Sequence, residues 1–82
     1  MSGLGPAATL KNADLERIAH AAARVLAVDG KVMASQYLMG ALENGGFVDT
    51  KNPKRSKLKG WEVHVVAERA LWISQNQEGG AK

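Results

Sequence analysis

Six apolar residues, Leu15, Ile18, Ala19, Ala22, Val25 and Leu26, recur at i, i+3, i+4, i+7, i+10 and i+11. Only an α-helix gathers that spacing into one stripe, so the pattern predicts an amphipathic helix over roughly 13 to 28. Its limits are marked as well. Asn12 can accept hydrogen bonds from the first free N–H groups, Asp14 and Glu16 put negative charge where the helix dipole favours it, and Gly30 can close the far end. Ala19, Ala21, Ala22, Ala23 and Ala27 raise helix propensity and leave a thin surface that a neighbouring backbone can approach. Arg17, His20 and Arg24 line the side away from the stripe, as a solvated flank or a second phosphate contact.

A helix of this kind needs partners. The chain has 82 residues, enough for a single domain over 1–82, and at that size folding buries only roughly 60 to 65% of the surface that the unfolded chain exposes. There is no cysteine, so stabilisation has to come from packing or from a second subunit, and a homodimer is compatible with an apolar content of 45%. Residues 1–8 and 77–82 are mostly small, with Gly3, Gly5, Pro6, Gly79 and Gly80 breaking any pattern; they are expected to be disordered tails.

A turn at Asp29-Gly30-Lys31 leads into a second helical pattern, Leu38, Ala41 and Leu42. Either Ser35 caps this helix or it starts near Val32. Asn44-Gly45-Gly46 supplies residues that tolerate a left-handed backbone, the usual stop, and Phe47 can fold back on the last turn. Beyond it two readings of 60 to 75 compete. Trp61, Val63 and Val65 alternate with Glu62 and His64 as on a half-buried strand, which would pair with Phe47-Val48-Asp49-Thr50 in a hairpin. A continuous helix from Gly60 would instead put Trp61 and Trp72, eleven residues apart, on one face. The first reading gives a mainly α (α+β) fold, a small helical domain with a basic β-hairpin wing; the second gives a three-helix domain.

Between those segments lies the most unusual stretch of the chain. Lys51, Lys54, Arg55, Lys57 and Lys59 place five of the eleven basic residues within nine positions and no acid among them. This run carries +5 while the remainder sums to −2, so the overall +3 is local. A loop of that charge points to a polyanion, nucleic acid first, or to an acidic protein surface. It also fits a nuclear localisation signal, and a merely solvated loop is the plain alternative.

The order helix, turn, helix ending Leu42-Glu43-Asn44-Gly45-Gly46-Phe47-Val48, basic loop, Glu62-Val63-His64-Val65-Val66 and a last helix resembles the second half of a winged helix-turn-helix domain of the MarR-like regulators, over residues 32–75. That resemblance implies a DNA-binding protein. It would place Ser35, Gln36 and Tyr37 at the exposed start of a recognition helix in the major groove. Lys54, Arg55 and Lys57 would sit at the wing tip, on phosphates or in the minor groove; Lys51 and Lys59, from the same basic run, are further candidate nucleic-acid contacts. The family also has a short helix before the recognition helix, where this chain offers one long stripe and a turn.

Other chemistries lack their residues. His20 and His64 have no ligand-spaced companion, Ser56 and Ser74 no evident base, and Gly45-Gly46 no following Lys-Ser/Thr, so no metal, cofactor or catalytic site is expected. Neither a signal peptide nor a membrane span is legible, and a cytoplasmic location is expected. The sequence therefore leads to a small nucleic-acid-binding regulatory or accessory protein, with duplex DNA the favoured ligand. The alternative is a protein-interaction module or inhibitor, phage-like in its small size, that acts through Trp61 and Trp72 or through the basic loop.

Overall fold

The computed structural model describes residues 7–78, the last two by their backbone alone. Three α-helices make up the fold: α1 (Ala13–Asp29), α2 (Lys31–Asn44) and α3 (Gly60–Ile73), with a 3-10 turn at Pro53–Arg55 and a π-helical turn at Ser74–Glu78. Helix α1 is the element on which the others pack, since α2, α3 and the π-helical turn all lie against it. The expected disordered tails, 1–8 and 77–82, fall mostly outside the described residues.

Helix α1 forms as the stripe predicts. The Asn12 side-chain oxygen accepts the N–H groups of Asp14 and Leu15 at 2.8 and 3.2 Å, and Ala19, Ala22 and Ala23 are buried at its centre. Gly30 ends it and starts the next helix in one residue. Its N–H donates to the Leu26 carbonyl, its own carbonyl receives the Ala34 N–H, and its φ of 94° lies where a side chain would be strained. Helix α2 therefore begins at Lys31, and Ser35 lies in its second turn rather than at its cap.

The expectation of a β-hairpin wing is overturned: no strand is present among the described residues, and 60 to 66 is the start of α3. The alternation Trp61-Val63-Val65 competes with a second pattern, Val63, Val66, Ala70 and Ile73, whose spacing is helical. Burial decides between them. Val66, Ala70 and Ile73 are buried and Val63 packs on the core, whereas Trp61 and Val65, which a strand would have turned inward with Val63, are 66% and 39% exposed. Packing on α1 outweighs the strand preference of the β-branched residues. Glu62 reinforces the helix start by accepting the Lys59 N–H at 2.8 Å. The three-helix domain is the arrangement observed. The unbroken α1 also leaves no place for the short second helix of a winged domain.

A charged pair crosses this small core. Arg69, 3% exposed, donates from Nε and Nη2 to the two carboxylate oxygens of Glu16 at 3.0 and 2.6 Å, tying α3 to α1. Glu16 also accepts the Leu10 N–H at 3.1 Å and meets the His20 ring at 2.8 Å. The Arg69 guanidinium lies 5.4 Å from the Trp72 ring centroid, and Trp72 packs on the core. The Arg69 hydrogen bonds hold the Glu16 carboxyl at a pKa of about 2, against the opposing effect of burial.

Candidate functional site

The basic loop is built as a closed, hydrogen-bonded excursion from the helices. Helix α2 stops at Asn44; Phe47 and Val48 donate N–H to the Leu42 carbonyl, Gly46 takes a φ of 81°, and Phe47 folds onto the core. The Lys57 and Leu58 N–H groups both return to the Phe47 carbonyl at 3.0 Å, so the loop opens and closes at one residue. Inside it, Asp49 accepts from the N–H groups of Lys51 and Asn52 at 3.0 and 2.9 Å, an Asx turn. The Asp49 N–H donates to Ser56 Oγ at 2.8 Å, and the 3-10 turn carries Lys54 and Arg55.

This scaffold turns all five cations outward. Lys51, Lys54, Arg55, Lys57 and Lys59 are exposed, and none makes an ion pair with an acid of the described residues, where the pairs are Arg17–Asp14, His20–Glu16, His64–Glu68 and Arg69–Glu16. The nearest carboxylates in sequence are engaged otherwise: Asp49 in the Asx turn, Glu62 on the Lys59 N–H and Glu43 with the Thr50 hydroxyl at 2.8 Å.

Ser35, Gln36 and Tyr37 are exposed on α2, in its second turn and away from the end at which the loop leaves the helix. Gln36 lies eight positions before Asn44, about 12 Å along a helix, and with no hairpin wing among the described residues there is no second arm to set α2 in a groove. On α1, Arg17 bonds Asp14 at 3.1 Å and His20 bonds Glu16, which leaves Arg24 as the one member of that trio without an acid partner among the described residues.

Lys11 was not expected near the site. Together with Leu10, Leu58, Trp61 and Val65 it lines a surface groove between the segment preceding α1 and the first turns of α3, next to the point where the basic loop ends. Its charge is legible in the sequence, but fifty positions separate it from Trp61, and only the packing of α1 on α3 joins them.

No group of three or more His, Cys, Asp or Glu side chains able to hold a metal ion occurs among the described residues, and no helix there is long and apolar enough to cross a membrane. No protein-family model matches the chain, and neither the curated proteins nor the solved structures include a match to it.

Proposed function

We propose that this chain is a small nucleic-acid-binding protein of regulatory or accessory role that docks through the loop of residues 51–59. The observation that carries the reading is the set of five exposed cations on one hydrogen-bonded loop, none compensated by an ion pair within the described fold. Like charges held this close repel one another, and a phosphate backbone relieves that repulsion while releasing its condensed counterions. The anchored loop also lowers the entropy lost on docking, because its backbone is already tied at Phe47, Asp49 and Ser56. Base reading from Ser35, Gln36 and Tyr37 has less support, since the wing that would have oriented α2 is absent.

The test is fluorescence anisotropy of labelled oligonucleotides across a salt series. Affinity that falls with salt at a slope implying about three to five released counterions supports phosphate docking. Absence of binding at low salt overturns it.

A further inference from the structure

We infer, resting on that reading, that the ligand is single-stranded and that Trp61 is its base-stacking platform. The indole is 66% exposed on the first turn of α3, two residues beyond Lys59, the last cation of the loop. Trp72, by contrast, packs on the core beneath the Arg69 guanidinium. An exposed indole presents a flat apolar face on which a nucleobase can stack, with one N–H as its polar group.

Trp61 also lines a surface groove. Its apolar lining includes Leu10, Leu58, Val65 and Trp61, and Lys11 lines it as well. Lys11 is exposed, and no ion pair engages it among the described residues. The polar neighbours in the groove are committed elsewhere: Asn12 caps α1 and Glu62 holds the Lys59 N–H. Lys11 thus shares the groove with the indole, and Lys59 stands two residues before it at the N-cap of α3. Phosphates spaced along a flexible strand can meet these charges while a base between them lies on the ring. A duplex keeps its bases stacked on each other and cannot offer one to Trp61 without unpairing.

The experiment compares oligothymidine, a duplex of equal length and heparin, a polyanion without bases, on the intact chain and on Trp61→Ala and Trp61→Tyr. Circular dichroism melts confirm that each variant is folded. Oligothymidine should bind more tightly than the duplex and quench tryptophan emission. Trp61→Ala should abolish that quenching and weaken oligothymidine about tenfold, with the salt slope and heparin affinity unchanged, and Trp61→Tyr should restore most of the loss. The inference is overturned, with phosphate docking intact, if Trp61→Ala binds oligothymidine like the parent chain, if it weakens heparin equally, or if the duplex binds as well as the single strand. If neither oligothymidine nor heparin binds at low salt, the docking reading fails and this inference fails with it.

Discussion

Arg69 and Glu16 are fifty-three positions apart, yet two hydrogen bonds of 3.0 and 2.6 Å make them a single bidentate unit at the α1–α3 contact. Removing one partner leaves the other charged or polar group buried without its complement, which costs about 3–5 kcal/mol. Glu16→Gln and Arg69→Met should each lower stability in urea denaturation by an amount of that order, a large part of what a domain this small possesses. The double variant Glu16→Leu/Arg69→Leu should recover much of the loss, because two apolar residues can fill the site without a desolvated charge. If each single variant melts like the parent chain, the pair does not hold α3 on α1.

The same carboxylate sets an acid limit. The Glu16 pKa is lowered from 4.5 to about 2 in the folded chain, so between those values the unfolded chain binds more protons than the folded one, and stability falls as pH falls. The contribution, on the order of 3 kcal/mol, is fully present above the unfolded value and lost as pH drops through about 2. Thermal melts from pH 6 to pH 2 should show a decline in Tm that is shallower in Glu16→Gln.

How much of this was legible follows from the range of each signal. Helix α1, its Asn12 cap and the stop at Gly46-Phe47 are local, and periodicity or backbone tolerance specifies them. Residues 60 to 66 satisfy two periods at once, and only the surface of α1, unknown from the sequence, decides that Val66 rather than Val65 turns inward. The Glu16–Arg69 pair does leave a trace in the sequence. Arg69 falls on the stripe of Val66, Ala70 and Ile73, and a charge on an apolar stripe implies a buried counter-charge. The loop cations were evident, whereas the groove joining Lys11 to Trp61 depends on tertiary packing and had no sequence signal.

Gly40 and Gly46 should respond in opposite senses to alanine. Gly40 lies inside α2, and a Cβ added there meets nothing within 4 Å, so Gly40→Ala gains helix propensity and should raise stability by about 0.5–1 kcal/mol. Gly46 has a φ of 81°, and although the space beside it is equally open, alanine in the left-handed region should cost about 1–2 kcal/mol. Equal shifts in Tm for the two variants would contradict this account of how α2 ends.

Reversing Lys54, Arg55 and Lys57 to glutamate separates the loop's charge from its architecture. The side chains are exposed and unpaired within the described residues. Of these three residues only backbone N–H groups, those of Arg55 and Lys57, enter the hydrogen bonds that shape the loop, and these survive substitution, as do the Asp49 and Ser56 side-chain contacts. The triple variant should therefore melt within about 0.5 kcal/mol of the parent chain, while the loop's charge passes from +5 to −1. Oligonucleotide and heparin binding should be lost at every salt concentration, because the carboxylates now repel the phosphates that the cations held. A folded triple variant that still binds oligonucleotides with the parent's salt dependence would move the contact away from this loop, to Lys11, Arg24 or another cation of the helices.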